Sequence, residues 1–571
     1  MPHIITQNCC NDATCVPVCP VNCIHPTPDE PGYRTAEMLY IDPEACIDCG
    51  ACVDACPVSA IVADDDLPEE LSQYEALNAH YYEAPGRREY GSAPSRKTLR
   101  SFDGAPDETL RVAVVGAGPA GMYAAGALLG QRGAHAEVDV FERLATPGGL
   151  VRYGVAPDHQ ETKAIGDHFN AIMSRKGFRL YAGVSVGEGI SHTQLTQRYH
   201  AVLYAVGAMR DRNLGIPGED LPGSRSATEM VGWYNGHPDF FDQDFDFSDI
   251  TEGRVVILGN GNVALDVARV LTSDPDKIAR TDISDRAVAA LRASNVSEVV
   301  VVGRRGTAQA AFTSPELLGL ASVDRVQVTV KEAEIATSRG AGTPPSHSMS
   351  GYKQILLDGI ADRTSTRNQA DERSLKTVVL RFLSSPVEIL GDSDNGVTGV
   401  RLVHNELVEE VGPDGGPAVI ARPTGETEVI TTSLVLRSVG YRGSPLEGLP
   451  FDTDHATFPN HEGRVLDPTT GEPLSQTYVA GWIKRGPSGV IGTNKVCAEE
   501  TVAKLLDDFV AGRLPRPTVA DDLDEILPDT VNVAGWRAID ADEKQSGRAV
   551  QRPRVKFYDM AAARRVAADK S

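Results

Sequence analysis

The sequence has no cysteine between residues 57 and 496, although it has ten in all. That gap excludes disulfides and dithiol redox chemistry from most of the chain, because both need paired thiols. No apolar run is long enough to cross a bilayer, and the first residues lack the basic segment and apolar core of a secretion signal. We therefore expect a cytoplasmic protein without a membrane partner.

Basic residues are scarce near the N-terminus. The formal net charge is −24, and residues 1–75 contain fourteen Asp and Glu but a single basic side chain, Arg34. Nucleic-acid binding needs clustered Lys and Arg to displace counterions from phosphates, so we expect no nucleic-acid partner. The acidic segment is suited to contact a basic protein or a basic face of the same chain.

Nine of the ten cysteines lie in two runs within the first 56 residues. The second run, CIDCGACVDACP (46–57), has the Cys-x2-Cys-x2-Cys-x3-Cys-Pro spacing that is typical of iron–sulfur ligands. Zinc sites place their cysteine pairs farther apart and cytosolic disulfides are disfavoured, so both are weaker interpretations. The first run, NCCNDATCVPVCP (8–20), repeats this pattern at an offset of 37 residues, with Asp12 in the position of Cys49.

The duplicated spacing predicts two clusters with crossed ligands, because the cysteine before each proline reaches the other cluster. The predicted ligands are Cys46, Cys49, Cys52 and Cys19 for a [4Fe–4S] cluster, and Cys9, Cys15 and Cys56 for a second cluster. The second cluster is either [3Fe–4S] or a [4Fe–4S] cluster whose fourth iron faces Asp12. Cys10 is an alternative ligand in a shifted register, and Cys23 is expected to be a small buried residue. Over about residues 1–70 the chain resembles the seven-iron bacterial ferredoxins.

A glycine-rich turn marks a first dinucleotide-binding fold. In LRVAVVGAGPAGMYAAGALL (110–129), Gly116, Gly118 and Gly121 follow an apolar strand and open a helix, whose N-terminal amides favour a pyrophosphate. Glu142 ends the next strand, where an acid bonds the ribose hydroxyls. This turn suits FAD, or a nicotinamide cofactor that lacks the 2′-phosphate.

A second turn differs in the residues that read the ribose. GRVVILGNGNVALDVARVL (253–271) is again strand, turn and helix, with Gly259, Gly261 and Ala264 at the three small positions. The next strand ends in Arg304 and Arg305, where an NAD site would have an acid. Two guanidinium groups bind a 2′-phosphate, so this turn predicts NADP(H).

From about residue 108 to 560 the chain resembles the adrenodoxin-reductase-like ferredoxin–NADP+ reductases, and with its N-terminus it resembles the fused ferredoxin/ferredoxin–NADP reductases of mycobacteria. The stretches that carry the resemblance are VVGAGPAGMYAA, GLVRYGVAPDH, GNGNVALDVAR, GRRGTAQAAFTSPEL, GYRG and YVAGWIKRGPSGVIGTN. Besides Gly116 and Gly121 of the glycine-rich turn, the resemblance implies FAD contacts at Gly118, Ala120, Glu142, Leu150, Val186, Trp482, Gly489, Val490 and Ile491. It implies NADP contacts at Asn260, Gly261, Asn262, Val263, Arg304, Arg305 and Glu316.

The same resemblance places His159 near the flavin as a candidate catalytic residue. The stand-alone reductases carry a second acid three residues after the position of Glu316, where this chain has Gly319. An acidic partner of His159 is therefore not expected at that position.

The expected fold is an α+β ferredoxin-like two-cluster domain followed by an α/β flavoprotein with two Rossmann-like dinucleotide-binding domains and parallel sheets. The predicted segments are 1–75 (ferredoxin), 76–108 (linker), 109–215 (FAD-binding, first part), 216–440 (NADP-binding), 441–560 (FAD-binding, second part, with a C-terminal extension) and 561–571 (tail).

The expected activity is that of a ferredoxin–NADP+ reductase with a built-in ferredoxin. NADPH would pass a hydride to FAD, and single electrons would pass through the iron–sulfur clusters to a ferredoxin or a haem monooxygenase system. The protein is expected to be a monomer. One alternative is an electron-input subunit of a larger enzyme, as in glutamate synthase, and another is a ferredoxin-type carrier with a vestigial flavodomain.

Overall fold

The structure, a computed structural model, describes residues 2–90, 108–131, 135–338, 344–366, 375–411, 417–520 and 523–569. Most of the predicted linker, residues 91–107, and the last two residues of the predicted tail lie outside the described residues.

The N-terminal region consists of short strands, two helices and long loops. Its elements are β1 (His3–Ile5), β2 (Ile24–His25), β3 (Tyr40–Ile41), α1 (Ala51–Ala55), β4 (Ile61–Ala63) and α2 (Gln73–Tyr81). The strands form two antiparallel pairs, β1 with β4 and β2 with β3. Each pair joins one strand from each half of the repeat, so the two halves fold together.

The sequence repeat is also a repeat of backbone conformation. Asn11 and Asp48, which are 37 residues apart, both have positive φ angles of 55° and 56°. The next such pair, Ala13 and Gly50, has φ angles of 57° and 72°. Left-handed residues are uncommon outside glycine, so their recurrence at one offset shows that the two cysteine runs wind in the same way.

Helix α2 crosses the boundary that the sequence places after residue 75. It continues to Tyr81 because Leu77 and Tyr81 are buried against the N-terminal core. The Tyr82 hydroxyl then donates to the carbonyls of Cys23, at 2.9 Å, and Tyr40, at 2.6 Å. The first residues of the predicted linker therefore pack with the N-terminal region; the other domain boundaries remain predictions.

The chain next forms alternating strands and helices. Residues 110–211 contain β5 (Leu110–Val115), α3 (Pro119–Leu129), β6 (Ala136–Glu142), α4 (Leu150–Tyr153), α5 (Gln160–Lys163), α6 (Ile165–Met173), β7 (Phe178–Ala182), α7 (His192–Arg198), β8 (Ala201–Tyr204) and β9 (Arg210–Asp211). Residues 224–381 contain β10 (Ser224–Ser226), α8 (Ala227–Tyr234), β11 (Arg254–Leu258), α9 (Asn262–Thr272), α10 (Pro275–Ile278), α11 (Asp285–Arg292), β12 (Glu298–Val302), α12 (Ser314–Ala321), β13 (Val326–Val330), α13 (Glu332–Ser338), α14 (Met349–Thr366) and β14 (Lys376–Arg381).

The last third of the chain adds a meander and completes both sheets. Its strands are β15 (Ser384–Asp392), β16 (Gly396–Val411), β17 (Pro417–Thr431), β18 (Leu434–Arg437), β19 (Tyr441–Arg442), β20 (Asn460–His461), β21 (Arg464–Leu466) and β22 (Pro473–Val479). Its helices are α15 (Trp482–Arg485), α16 (Ile491–Val510), α17 (Leu523–Ile526), α18 (Val533–Ala549) and α19 (Met560–Ala568).

Two parallel sheets organise these elements. In the first, β22, β8, β5, β6 and β7 are parallel neighbours, and β21 and β20 extend the β22 edge in antiparallel pairing. In the second, the order is β10, β18, β11, β12, β14 and β13, all parallel. The chain thus leaves the first sheet after β8 and returns to it at β20–β22. Two parallel sheets, each with a glycine-rich turn after an inner strand, confirm the predicted α/β architecture.

Strands β15–β17 form a separate antiparallel sheet between β14 and β18, which the sequence interpretation did not foresee. Their alternating apolar and polar residues bury one face against the second parallel sheet, through Ile389, Val400 and Leu402. None of the helices in the described part of the chain is both long enough and apolar enough to cross a membrane.

Candidate cofactor-binding sites

The first glycine-rich turn leaves no room for side chains at two of its glycines. Gly116 has φ +105°, and a Cβ there would lie 2.5 Å from the Ala205 carbonyl oxygen. A Cβ on Gly121 would lie 1.8 Å from the Gly116 carbonyl oxygen. Helix α3 starts after Gly118 without a side-chain cap, so its first amides face outward as a phosphate cradle requires.

Glu142 is fixed beside this turn by its own backbone contacts. Its carboxylate accepts the Ala117 N–H at 2.9 Å and the Leu144 N–H at 3.0 Å. Burial raises the pKa of Glu142, while these amides act in the opposite direction. An acid that is held at the end of the second strand matches the position of a ribose ligand.

The other predicted FAD residues surround the same end of the sheet. Gly149 approaches Gly118 so closely that a Cβ on Gly149 would lie 2.9 Å from the Gly118 Cα, which brings Leu150 to the turn. A Cβ on Gly481 would lie 2.7 Å from the Ala120 Cβ, so Trp482 follows directly after this contact. The Trp482 indole donates to the Ser488 carbonyl at 3.1 Å, next to Gly489, Val490 and Ile491. Val186 lies in the loop after β7, which is anchored where Val184 N–H donates to the Glu142 carbonyl at 2.9 Å.

The predicted NADP residues meet at the corresponding end of the second sheet. Leu258 of β11 and Val302 of β12 are paired, so the two following turns are neighbours. The Asn260 side chain covers Gly303, whereas the space above Gly261 is open to 4 Å. Asn262 Oδ1 accepts the Thr313 N–H at 2.8 Å, which joins the start of α9 to the start of α12. Val263 packs partly buried against the core of this fold.

Arg304 and Arg305 extend from the second turn as a pair of like charges. Burial, and then the charge of Arg304, lower the pKa of Arg305. Within the described ranges no carboxylate forms an ion pair with either guanidinium. Two adjacent cations without an acidic partner form a site for a dianion such as a 2′-phosphate.

His159 belongs to a partly buried ionic cluster around the buried Arg269, and this cluster joins the two folds. Arg269 donates to Asp158 Oδ2 at 2.6 Å, to Asp266 Oδ1 at 2.6 Å and to Glu316 Oε2 at 3.1 Å. It also donates to His159 Nε2 at 2.7 Å. Burial, and then the charge of Arg269, lower the pKa of His159, so its ring is neutral and Nε2 accepts. His159, Asp266 and Glu316 have ligand atoms within 4.8 Å of one another, but Arg269 already supplies the cation among them.

Four cysteines surround one small cavity in the N-terminal region, which we call the four-cysteine site. The cavity is lined by Cys19, Cys46, Cys49 and Cys52, with Cys23 and apolar residues that include Ile24 and Ile41. The Cys23 N–H donates to Cys19 Sγ at 3.4 Å. Burial raises the pKa of Cys52 to about 12, so a thiolate here needs the positive charge of a metal to balance it.

The remaining predicted ligands, Cys9, Cys15 and Cys56, form a second group, which we call the three-cysteine site. Burial raises the pKa of Cys9 to about 12, and the charges of Cys56 and Asp12 add to this effect. The Ala60 N–H donates to Cys56 Sγ at 3.3 Å, which repeats the Cys23–Cys19 contact at an offset of 37 residues. Amide hydrogen bonds to ligand sulfurs are a feature of iron–sulfur sites, so both groups fit a cluster.

Asp12 lies at the three-cysteine site, but its carboxylate already has partners. It accepts the Thr14 N–H at 3.2 Å and the Thr14 hydroxyl, and it lies 3.5 Å from Lys495 Nζ. Cys10 is buried, and the Gly492 N–H donates to its carbonyl at 2.7 Å. Lys495 and Gly492, which make these contacts with Asp12 and Cys10, both lie at the start of α16 in the flavoprotein part.

The N-terminal region also packs against the second dinucleotide fold. Glu37 accepts the Ser314 N–H at 2.8 Å and lies 3.3 Å from Lys353 Nζ. A Cβ on Gly319 would lie 2.7 Å from Gln7 Oε1. Gly319 therefore makes room for the N-terminal region at the position where the resemblance expects an acid.

Several of these residues could not be found by motif. Arg269, Asp158 and Asp266 come from two elements and carry no spacing of their own, although GVAPDH and VALDVAR contain them. Gly492 and Lys495 follow the predicted FAD segment Gly489–Ile491. Only the fold shows that they contact the loop of the three-cysteine site, at Cys10 and Asp12.

Comparison with known proteins gives a consistent result along the whole chain. The family model of the pyridine nucleotide-disulphide oxidoreductases matches residues 110–312, and that of the 4Fe-4S binding domain matches residues 39–62. The gap in cysteine means that the disulfide chemistry in the first family's name does not extend to the flavoprotein part of this chain.

The chain is similar to two full-length relatives that carry the same description. A probable ferredoxin/ferredoxin--NADP reductase of Mycobacterium tuberculosis is 47% identical and covers 98% of this chain and 94% of the relative. The protein of the same description from Mycobacterium leprae is 46% identical and covers 100% of this chain and 98% of the relative. Neither supports the alternative of an electron-input subunit.

A solved structure matches the flavoprotein part. Mycobacterium tuberculosis FprA in complex with NADPH is 43% identical and has a TM-score of 0.73. The match covers 81% of this chain and all of that chain.

Proposed function

We propose that this chain, which belongs to the family of fused ferredoxin/ferredoxin–NADP reductases, oxidises NADPH at its flavoprotein part and releases the electrons one at a time through its N-terminal cysteine sites. Membership of the family is shown by relatives that are 46–47% identical over nearly the whole chain. The chain is accordingly an NADPH-dependent oxidoreductase. One observation supports the electron path. The loop of the three-cysteine site directly contacts the segment expected at the flavin, through a hydrogen bond from the Gly492 N–H to the Cys10 carbonyl.

The groups that the residues fit are FAD, NADP(H) and two iron–sulfur clusters. When bound, FAD converts a two-electron hydride transfer into one-electron transfers, and the clusters carry single electrons. Helix α3 and its open N-terminal amides would hold the FAD pyrophosphate, with Glu142 on the ribose. Trp482 and Gly489–Ile491 would enclose the isoalloxazine ring. These assignments are supported by the convergence of the residues at one end of the first sheet.

The second fold would bind NADPH through its backbone turn and its two arginines. Gly261 leaves open space at the start of α9 for a pyrophosphate, and Arg304 and Arg305 would hold the 2′-phosphate. Glu316 is bonded to Arg269, so its contribution to NADP is to fix the start of α12.

His159 would be a positioning residue beside the nicotinamide and flavin. Its ring is neutral and its Nε2 is occupied by the Arg269 N–H, so it has no proton to donate from that atom. A hydride transfer needs no side-chain acid, and the absence of a carboxylate at Gly319 agrees with that requirement.

The cluster ligands follow from the two groups of thiols. Cys19, Cys46, Cys49 and Cys52 would hold a [4Fe–4S] cluster. Cys9, Cys15 and Cys56 would hold a [3Fe–4S] cluster, because Asp12, which stands where the fourth cysteine would be, is already bonded to Thr14 and faces Lys495. The external partner would be a ferredoxin or another one-electron acceptor protein, and the chain would act as a monomer in the cytoplasm.

A comparison of two electron acceptors tests this function. Ferricyanide is small and takes electrons from a reduced flavin directly, whereas cytochrome c is a protein that would be reduced through the N-terminal region. With NADPH, the Cys52→Ser variant should keep its ferricyanide reduction and lose most of its cytochrome c reduction. The Cys497→Ser variant is the matched control, because Cys497 is a buried thiol outside both sites. Equal cytochrome c reduction in both variants would contradict the proposed path.

A further inference from the structure

The two cysteine sites differ in what covers them. The loop of the three-cysteine site, residues 8–15, lies against the flavoprotein part, whereas the loop of the four-cysteine site, residues 46–53, faces solvent. In that second loop Cys49 is exposed, Ile47 is 59% exposed and Val53 is 37% exposed. The duplicated halves are thus alike in backbone but not in surroundings.

The loop of the three-cysteine site, residues 8–15, makes a very close contact with Gly492. The Gly492 N–H donates to the Cys10 carbonyl at 2.7 Å, and a Cβ on Gly492 would lie only 1.6 Å from the Asn11 carbonyl oxygen. No side chain fits between these two backbones. Gly492 follows Ile491, which is expected at the flavin, so a single hydrogen bond links that segment to the residue next to Cys9.

Two more groups hold the same loop at its neighbouring carbonyls. Lys495 Nζ donates to the Asp12 carbonyl at 2.8 Å, and Thr162 Oγ1 donates to the Asn8 carbonyl at 3.3 Å. Thr162 lies on α5, the helix that starts after His159. The carbonyls of residues 8, 10 and 12 are therefore each bonded from elements that border the proposed flavin site.

The two cysteine sites are joined by the crossed ligands. Three residues, Val16–Val18, separate Cys15 of one site from Cys19 of the other. Another three residues within α1 separate Cys52 from Cys56. An electron at the three-cysteine site is thus close in the chain to the four-cysteine site, which has the exposed thiol.

We propose that the three-cysteine site receives electrons from the flavin through the Cys10–Gly492 contact, and that the four-cysteine site alone delivers them to the external acceptor. This inference rests on the proposed function. Oxidation of one NADPH gives NADP+, a proton and two electrons, and two acceptor molecules are each reduced by one electron. Neither the order of the two sites nor the role of Gly492 follows from the cysteine spacing, because the spacing is the same in both runs.

Replacing Gly492 tests the inner contact. Gly492→Ala should force the loop of the three-cysteine site away from α16, and cluster reduction after mixing with NADPH should slow severalfold, because electron transfer becomes slower as the distance between donor and acceptor grows. Gly166→Ala is the matched control, because Gly166 is also helical and a Cβ there meets nothing within 4 Å. Flavin reduction is followed in the same anaerobic samples by stopped-flow absorbance, and the clusters by rapid-freeze EPR.

The outcomes separate this inference from the proposed function. If the wild-type clusters are never reduced by NADPH, the proposed function fails. If they are reduced, and Gly492→Ala slows them while Gly166→Ala does not, the inner contact is supported. If both variants reduce the clusters at the wild-type rate, the proposed function stands and this inference is overturned.

A second readout does not depend on electron transfer. Hydrogen–deuterium exchange should rise in residues 8–14 of Gly492→Ala and stay unchanged in residues 46–52. Lys495→Gln should give the same pattern at a smaller amplitude, since it removes one bond to the loop, and Lys504→Gln on the same helix, paired with Glu462, should give none. Equal changes in both loops, or in neither, would contradict the asymmetric docking.

The exit site is tested by removing a ligand from each site in turn. Cys49→Ser should still show early reduction of the three-cysteine site by NADPH but lose cytochrome c reduction. Cys15→Ser should leave the four-cysteine site unreduced by NADPH although dithionite reduces it. Normal cytochrome c reduction by Cys49→Ser would overturn the assignment of the exit.

Discussion

The two glycine-rich turns of the flavoprotein part have the same backbone plan and different side chains. At the third small position, a Cβ on Gly121 would lie 1.8 Å from the Gly116 carbonyl, whereas the second turn carries Ala264 with its Cβ buried in the core. After the next strand, the first fold has Glu142 and the second has Arg304 and Arg305. In the proposed function the turn provides the phosphate cradle in both folds, and the residues at the end of the second strand decide which ribose each fold accepts.

The first prediction concerns the third small position, where only the first turn requires glycine. Gly121→Ala should abolish FAD retention, because the added methyl overlaps the Gly116 carbonyl and the turn cannot close. In the second turn, Ala264→Gly should cost only about 1 kcal/mol of helix stability and leave FAD bound to the first fold. The FAD content per chain is measured by absorbance after purification. A full FAD content in Gly121→Ala would show that the first turn tolerates a side chain at this position.

The second prediction concerns the link between the two folds. Arg269→Met should lower the stability of the flavoprotein part by about 3 kcal/mol, because the partly buried carboxylates of Asp158, Asp266 and Glu316 would lose their cation. Thermal unfolding measures this loss. Arg292→Met is the matched control: its ion pair with Asp276 is exposed and should be worth less than about 1 kcal/mol.

The pH dependence of this loss has a defined sign. Burial raises the pKa of Asp158, but the charge of Arg269 outweighs it and sets the pKa at about 2. A pKa below the unfolded value of about 3.9 adds stability above that pH, and this stability disappears as the pH falls toward 2. The difference between wild type and Arg269→Met should therefore shrink as the pH falls, first through the pKa of Asp266, which burial raises to about 6, and then through that of Asp158, at about 2. A difference that grows on acidification would contradict the role of Arg269.

The third prediction separates the two ribose sites. Replacing Arg304 and Arg305 together by alanine should reduce kcat/KM for NADPH about a hundredfold, corresponding to about 3 kcal/mol for lost charge-assisted bonds, and change it little for NADH. Steady-state ferricyanide reduction with each nucleotide measures the ratio. An equal loss of kcat/KM with both nucleotides would contradict the proposal that Arg304 and Arg305 bind the 2′-phosphate.

The smallest effect is expected at the acid of the first fold. Glu142→Gln keeps an acceptor oxygen for one of the two amides, Ala117 and Leu144, but turns its NH2 group toward the other, so FAD should bind more weakly by about 1–2 kcal/mol. FAD release during dialysis measures this. NADPH affinity at the second fold should be unchanged, and a loss there as well would mean that the two sites are not independent.

Much of this comparison could be predicted from the sequence, because each turn is a local pattern. The strand, turn and helix around Gly116 and Gly261, and the acid or arginines that follow, lie within about fifty residues of one another. The antiparallel strands β15–β17 were not predicted, although GVTGVRLVHNELVEEV alternates as a strand does, because no sequence motif marks that segment.

The contacts between domains could not be predicted, because they depend on tertiary placement. Gly319 and Gly492 look like ordinary helical glycines in the sequence, and the fold shows that Gln7 and Asn11 lie where their side chains would be. Arg269 is likewise one arginine in VALDVAR until Asp158 and His159 are brought to it from the loop that precedes α5. A site formed by one loop can be predicted from the sequence, whereas a site formed by residues from several elements cannot.

The most direct test of the account is a single turnover. The oxidised protein is mixed anaerobically with one equivalent of NADPH per FAD, frozen at successive times and examined by EPR, with absorbance following the flavin. The account predicts that the flavin is reduced first and then partly reoxidised as the cluster signals change, with two electrons recovered in total. Flavin that stays fully reduced while the cluster signals remain unchanged would contradict it.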